Sequence, residues 1–188
     1  MRNREKTKKK ILQAALNVFK TDGFLSGSTE TIARKAGVAH GTIFFYFPAK
    51  ADLIVSCIYE KLGPLAYKLN STSRGTSDIE EICELFLEEI RPYSNFYSRL
   101  VKDLPHLPID LQRSVFSSLS AFSIHFVDVI EKEQEKNTFR SFDPKIAMFL
   151  WFGLVHYLYS YRELLGTDSF TAKDRKNLSS FFKNALSQ

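Results

Sequence analysis

Residues 28 to 53, STETIARKAGVAHGTIFFYFPAKADL, decide the fold of this chain. Apolar residues at helical spacing, beginning at Ile32, predict one short helix, and Gly37 follows at the point where a helix C-cap enters the left-handed region. Ile43 and Phe47 are four residues apart and predict the buried side of a second short helix. Two helices joined by a tight, glycine-containing turn are typical of a helix-turn-helix, whose second helix enters the DNA major groove.

The exposed face of the second helix indicates what it contacts. At 100° per residue, Gly41 and Phe45 point away from the buried side, and Thr42 and Phe44 flank them. A glycine inside a helix costs about 1 kcal/mol relative to alanine, so Gly41 needs a reason. A close approach of the backbone to a DNA groove is one reason. The alternative is a surface glycine of no consequence in a small helical bundle.

The wider pattern resembles the N-terminal domain of TetR-family transcriptional repressors. It is G-F-x(7)-I-A-x-x-A-G-V-x-x-G-T-I-F-x-Y-F-x-x-K-x-x-L, from Gly23 to Leu53, and the preceding ILQAALNVF resembles the first helix of that family. Two positions differ from the family pattern. Ala39 replaces the serine that usually caps the recognition helix, which alanine cannot do. Phe44 replaces a tyrosine whose hydroxyl usually binds phosphate.

The resemblance implies a homodimer that binds a near-palindromic double-stranded DNA operator. Lys50 and the helix N-termini would bind phosphates, whereas His40, Thr42 and Phe45 would contact base edges or thymine methyl groups. The positions matching the DNA contacts of the family are Ser28, Thr29, His40, Gly41, Thr42, Phe44, Phe45, Tyr46 and Lys50.

The charge distribution agrees with a DNA-binding N-terminal part. Residues 1–70 hold 12 Lys and Arg against 5 Asp and Glu, whereas residues 71–188 hold 14 against 16. A basic N-terminal part on a mildly acidic body suits binding of a polyanion by the former alone. Six of the basic residues lie among the first ten, and they either reach DNA phosphates or form a solvated terminus.

The sequence offers no feature of an enzyme, a metal site or a membrane protein. It has no nucleophile elbow, phosphate loop or metal-ligand spacing, so we expect no cofactor and no enzymatic activity. Cys57 and Cys83 are isolated on apolar helix faces and are expected to be buried thiols. The most apolar run, 146–161, contains Gly153 and His156 and is shorter than a span of about 20 residues. No signal-peptide pattern is present, so we expect a cytoplasmic protein.

The hydrophobic pattern predicts an all-α protein of nine helices in two groups. Residues 1–50 would form a three-helix, helix-turn-helix DNA-binding domain, and residues 51–188 a helical ligand-binding and dimerisation domain. The fourth helix, from about 48 to 69, links the two and is expected to be interrupted and kinked at Gly63-Pro64. A polar loop over 70–76, a capping box from Ser77 to Glu80 and one continuous helix carrying Leu111, Leu119 and Val129 are expected to follow it.

The eighth predicted helix is apolar nearly all round, so both of its faces must be buried. One face can pack on its own domain, and the other needs a second surface. We expect it to form a dimer interface together with the last helix, unless the protein is a monomer with a thick core. The expected interface residues are Phe149, Phe152, His156, Leu178, Phe181 and Phe182.

Residues 71–188 are rich in aromatic residues, with 12 Phe, five Tyr and Trp151. Such residues either line a pocket or simply fill a helical core. The resemblance implies an effector cavity surrounded by these helices, and His125 is the preferred polar group. The expected ligand-binding residues are Phe86, Phe122, His125, Phe126, Trp151 and Tyr157.

Two functions follow from these observations and the resemblance. The first is a ligand-responsive repressor, released from its operator when a small apolar or aromatic effector moves the fourth helix. The alternative is a DNA-binding protein of the same fold that has no small-molecule effector and is controlled by a partner protein.

Overall fold

The computed structural model describes residues 2–118, 120–166 and 171–188, and within these ranges the regular elements are helices. An isolated antiparallel β-bridge joins Phe139 and Ser187. The all-α class is therefore confirmed. The α-helices are α1 (Arg2–Asp22), α2 (Thr29–Ala36), α3 (His40–Tyr46), α4 (Lys50–Ser73), α5 (Ile79–Ile90), α6 (Ser94–Asp103), α7 (Ile109–Ser118), α8 (Ser120–Glu135), α9 (Pro144–Ser160), α10 (Arg162–Leu165) and α11 (Ala172–Leu186), and short 3-10 helices span Arg91–Tyr93 and Leu104–His106.

The chain separates into two compact units that do not follow the predicted division at residue 50. One unit runs to Gly63 and also includes Asn95–Ser117, and the other comprises Pro64–Ser94 and Ser118–Gln188. The boundary within α4 thus falls at the Gly63-Pro64 pair. Helices α6 and α7 belong to the same unit as the helix-turn-helix.

Contacts of α6 explain this grouping. The backbone N–H of Phe24 donates to Asp103 Oδ2 at 2.7 Å, and Arg99 Nη2 donates to the carbonyl oxygen of Asp22 at 2.8 Å. The rings of Phe24 and Phe96 meet edge to face with centroids 5.5 Å apart. Gly23 has φ +90°, and an added Cβ would lie 2.3 Å from Arg99 Nη2, so only glycine fits this turn.

Helix α4 differs from its prediction at both ends and in the middle. It begins at Lys50 rather than near Pro48, because the Asp52 carboxylate accepts the N–H of Ala49 at 2.8 Å and caps the helix there. It continues through Pro64 to Ser73, so the expected interruption and the loop from residue 70 are wrong. Leu62, Leu65 and Leu69 are buried on one side, and this packing outweighs the backbone hydrogen bond that the proline removes.

The other helix ends can be compared with the capping residues that the sequence predicts. Asp78, not Ser77, is the N-cap of α5, because its side chain accepts the N–H of Glu80 at 2.8 Å. The helix expected across residue 119 is described on either side of it as α7 and α8, and because Leu119 lies outside the described residues its continuity there stays a prediction. The predicted caps at Asp143 and Thr171 are confirmed, the latter as a reciprocal capping box with Asp174.

The two cysteines are free and buried, as predicted, and burial raises the pKa of the Cys57 thiol to about 12. Within the described residues, no group of three or more His, Cys, Asp or Glu could hold a metal ion. In the same part of the chain, no single helix is long and apolar enough to cross a membrane. The pair α3 and α4, bent by 66°, passes such a test together by length and composition alone.

Candidate nucleic-acid interface

The first helix of the motif, α2, begins and ends as the sequence predicts. Ser28 is its N-cap, and the Ser28 hydroxyl oxygen accepts the backbone N–H of Thr31 at 3.1 Å. Gly37 adopts φ +66°, and the N–H of Val38 donates to the carbonyl oxygen of Ala33 at 3.1 Å. This left-handed C-cap turns the chain towards α3 within three residues.

The second helix, α3, has one buried and one exposed side. Ile43 and the following Phe47 are buried, which fixes the helix on its own unit. On the opposite side Phe44 is 42% and Phe45 65% exposed. Ala39 occupies the N-cap position and makes no side-chain cap, as predicted. The N-terminal N–H groups of α3 therefore have fewer intramolecular acceptors than those of α2.

His40 connects the two helices of the motif. Its Nε2 lies 2.9 Å from the hydroxyl oxygen of Thr29, and its ring meets that of Phe44 edge to face at 5.2 Å. Thr29 and His40, both predicted as DNA contacts, are thus brought together at the exposed edge of the motif.

Gly41 is exposed, and no atom outside its immediate backbone lies within 4 Å of the position that a Cβ would take. Nothing described within the chain therefore requires glycine at this position. Glycine at position 41 is therefore required either by a partner outside the protomer or by no contact.

Lys50 lies at the first residue of α4, beside the motif. Its Nζ donates to the carbonyl oxygen of Leu25 at 2.7 Å. Burial lowers the pKa of Lys50, and the carboxylate of Asp103 partly offsets this effect by raising it. An ammonium group has three donors, so this bond orients Lys50 without using its full capacity.

Two cation–π contacts at α3 were missed from the sequence. The guanidinium carbon of Arg4 lies 5.0 Å from the ring centroid of Phe45, and Lys8 Nζ lies 5.6 Å from that of Phe47. The available signal was the spacing of Arg4 and Lys8, because residues four apart lie on the same side of a helix.

These features define a helix-turn-helix DNA-binding protein: a short α2, a left-handed turn, and an α3 whose aromatic outer face has Arg4 beside it. Comparisons agree with this class. The model for bacterial regulatory proteins of the tetR family matches residues 11–57. Residues 11–57 therefore carry the N-terminal domain of the tetR family of regulatory proteins.

Relatives and solved structures extend the likeness. A fatty acid metabolism regulator protein of Bacillus subtilis is 30% identical over 79 residues, which cover 42% of this chain and 41% of that protein. The structure of FadR from Bacillus subtilis in complex with stearoyl-CoA has a TM-score of 0.74 at 20% identity, covering 96% of this chain and 98% of that one. The fatty acid degradation regulator FadR from Bacillus halodurans has a TM-score of 0.70 at 22% identity, covering 95% and 97%. The HTH-type transcriptional regulator SrpR of Pseudomonas putida is 34% identical over 61 residues, which cover 32% of this chain and 29% of that protein.

The residues predicted to bind an effector lie in two different environments. Phe86, Phe122, Phe126 and Trp151 are fully buried, with neighbouring ring centroids 5.1 to 6.4 Å apart. His125 is half-buried, and its Nε2 lies 3.2 Å from the carbonyl oxygen of Thr76. Tyr157 does not join this group, since it is exposed on α9 and its ring contacts that of Tyr161 instead.

The residues predicted at the dimer interface also differ in exposure. Phe149 on α9 and Phe181 on α11 are 64% and 72% exposed. Phe152 and Phe182 are buried in the protomer, against Phe86 and Trp151 respectively, and are therefore core residues. His156 and Leu178 are half-buried. The exposed face of α9 holds further apolar side chains that were not selected from the sequence, namely Ile146 and Leu150.

Proposed function

We propose that this protein is a homodimeric repressor that binds a near-palindromic operator and is released by an apolar effector. The observation that carries the proposal is the outer face of α3. Its two exposed phenylalanines lie on a helix that is anchored by a buried opposite side, and Arg4 lies over the ring of Phe45. Apolar side chains in this setting suit contact with thymine methyl groups, with the cations beside the phosphates.

Each predicted DNA contact takes a distinct role in this proposal. Phe44, Phe45 and Thr42 enter the major groove, and Gly41 lets the backbone approach it. His40 is oriented by Thr29 for a base edge or a phosphate. The remaining residues, Ser28, Tyr46 and Lys50, would contact the DNA backbone.

The dimer surface in this proposal is the exposed apolar face of α9 together with the outer side of α11. Phe149 and Phe181 are its central residues, with His156 and Leu178 at its half-buried border. Large apolar side chains that are more than half exposed on one helix face mark a protein contact more often than isolated ones do. A second copy of this chain supplies an equivalent face. In this proposal residues 1–50 bind DNA. Residues 51–188 bind the effector and form the dimer surface, and α4 connects the two parts of the chain.

The effector is proposed to bind among the buried aromatic residues of α5, α8, α9 and α11. The indole N–H of Trp151 and the hydroxyl of Ser179 are fully buried there, and neither has a hydrogen-bond partner among the described residues. A buried donor without a partner costs about 1–3 kcal/mol, which is a reason to expect a polar group of a ligand or a water beside it. The FadR structure bound to stearoyl-CoA makes a long-chain acyl thioester the first effector to test.

One observation favours the alternative of a regulator without a small-molecule effector. The rings of Phe86, Phe122 and Phe152 lie 5.1 to 6.2 Å from one another, which is ordinary packing of a filled core. An acyl chain would have to separate these rings in order to enter.

In vitro selection from a random duplex library, about three helical turns long, tests DNA binding and dimer symmetry together. We expect the protein to enrich two inverted half-sites whose centres are about one turn, or a multiple of it, apart. Enrichment of no sequence would contradict the proposed function. Release of the enriched duplex by stearoyl-CoA, but not by coenzyme A, supports the effector, whereas retention with both supports control by a partner.

A further inference from the structure

The recognition helix lacks the side chains that commonly identify a guanine. Its sequence, His40–Tyr46, is HGTIFFY, which contains no Arg, Lys, Asn or Gln. Arg or Lys donating to guanine O6 and N7 is the commonest specific contact in the major groove. Apart from His40, a donor that identifies the guanine of a G·C pair would therefore have to come from another element.

Helix α1 brings an arginine to this helix. The Arg4 guanidinium lies over the exposed ring of Phe45 at 5.0 Å, and Lys8, one turn later, lies over Phe47 at 5.6 Å. The two cations share one side of α1, which faces the α3 segment in the same compact unit. Arg4 thus lies beside the most exposed aromatic residue of the recognition helix.

A guanidinium that lies over an aromatic ring keeps its N–H donors, which lie in its own plane, available for a further partner. Such an arginine is held in place before DNA arrives, so binding costs less side-chain entropy. Bidentate recognition of guanine needs this in-plane pair of donors, which an ammonium group does not have.

We propose that Arg4 is a specificity-determining DNA contact that recognises a guanine next to the position of Phe45, with the Phe45 ring as its platform. This inference rests on the proposed function, because it places α3 in the major groove. It assigns the basic N-terminus of α1 a role in sequence recognition rather than in general attraction to DNA.

The experiment compares selections from one random duplex library by the wild-type protein and by Arg4→Lys, Arg4→Ala and Phe45→Leu variants. Lys6→Ala is the matched control, since Lys6 is also exposed but lies two residues along, on another side of α1. Affinities for the wild-type consensus and for its single-base variants are then measured at fixed salt. Circular dichroism of each variant verifies the fold.

We expect a conserved G·C pair in each wild-type half-site. Arg4→Lys and Arg4→Ala should both lose discrimination at that pair, by about 5- to 150-fold, and leave the other positions unchanged. Phe45→Leu should weaken discrimination at the same pair, and its effect should not add to that of Arg4→Ala. Lys6→Ala should leave discrimination unchanged at every position.

Two results would overturn the inference while the proposed function stands. If Arg4→Lys is neutral and Arg4→Ala weakens all sequences equally, with a salt slope reduced by about 0.9, then Arg4 contacts a phosphate. If neither variant changes any position, Arg4 does not contact DNA. Failure of the wild-type protein to enrich any sequence would instead contradict the proposed function itself.

Discussion

Helices α3 and α9 both present aromatic side chains to solvent, but their surroundings differ. On α3 the exposed Phe44 and Phe45 cover one short helix face with Arg4 beside it. On α9 the apolar face is longer, from Ile146 through Phe149 to Tyr157, and the helix carries one charged residue, Lys145. A short apolar face beside cations suits a polyanion with methyl groups, whereas a long uncharged face suits another protein surface. The same residue type therefore supports two different functions, according to the charges around it.

The largest effect should come from placing a charge on the α9 face. Phe149→Glu should leave the protomer folded, because this side chain is 64% exposed, but should prevent dimerisation. Loss of the second half-site contact should reduce operator affinity by about 10²- to 10⁴-fold. Sedimentation velocity and fluorescence anisotropy measure the two effects.

Two variants serve as controls for this experiment. Ile124→Glu introduces the same charge at an exposed apolar residue of α8 and should remain a dimer that binds DNA. Phe152→Glu should instead unfold the protomer, because Phe152 is buried against Phe86. A Phe149→Glu protein that sediments as a dimer would remove α9 from the proposed interface.

The next largest effect is the difference in stability lost when a buried or an exposed phenylalanine is replaced. Phe126→Ala should reduce the free energy of unfolding by about 3–5 kcal/mol, since the ring is fully buried between Phe122 and Phe182. Phe44→Ala should change it by no more than about 0.5 kcal/mol and should weaken operator binding. Urea denaturation measures both values. Equal destabilisation by the two substitutions would mean that Phe44 belongs to the folding core.

A smaller effect tests why α3 contains a glycine. Gly41→Ala should preserve stability or raise it by up to about 1 kcal/mol, because the added Cβ meets open space on a helix. The same substitution should weaken operator binding, since the methyl group would separate the backbone from the groove. Thermal unfolding and anisotropy on one sample measure the two quantities. Unchanged DNA affinity would show that Gly41 makes no close approach.

The smallest effect concerns His156 on α9. Burial lowers the pKa of His156 below its ordinary value of 6.5, so the unfolded chain binds a proton more readily than the folded one. Stability from this group is therefore present above pH 6.5 and is lost as the pH falls from 6.5 through the lowered pKa. His156→Gln should lessen the loss of stability between pH 7.5 and 5.5. An identical pH dependence in both proteins would contradict this account.

Local chemistry made the helix-turn-helix predictable. Ser28 as a cap, Gly37 in the left-handed region and Ile43 on the buried side each depend on neighbours within a few residues. The packing of α6 depends on contacts such as that of Phe24 with Asp103, 79 residues apart, for which the sequence holds no local signal. The grouping of Asn95–Ser117 with the N-terminal unit was therefore not predicted.

The site residues on α9 show a second limit of the sequence. Apolar residues occur all round this helix, so their spacing cannot tell which side is buried. The structure buries Trp151, Phe152 and Val155 and exposes Phe149 and Tyr157. Tyr157 was consequently expected in a pocket and Phe152 in an interface, whereas in the structure Tyr157 is exposed and Phe152 is buried in the core.

The stoichiometry and affinity of the protein on whole and half operators test the central claim most directly. Sedimentation velocity with a labelled duplex from the selection would count protomers, and anisotropy would compare a duplex with two half-sites to one with a single half-site. We predict two protomers on the whole operator and an affinity about 10²- to 10⁴-fold lower on the half-site duplex. One protomer per duplex, with equal affinity for both, would contradict recognition by a dimer through paired α3 helices.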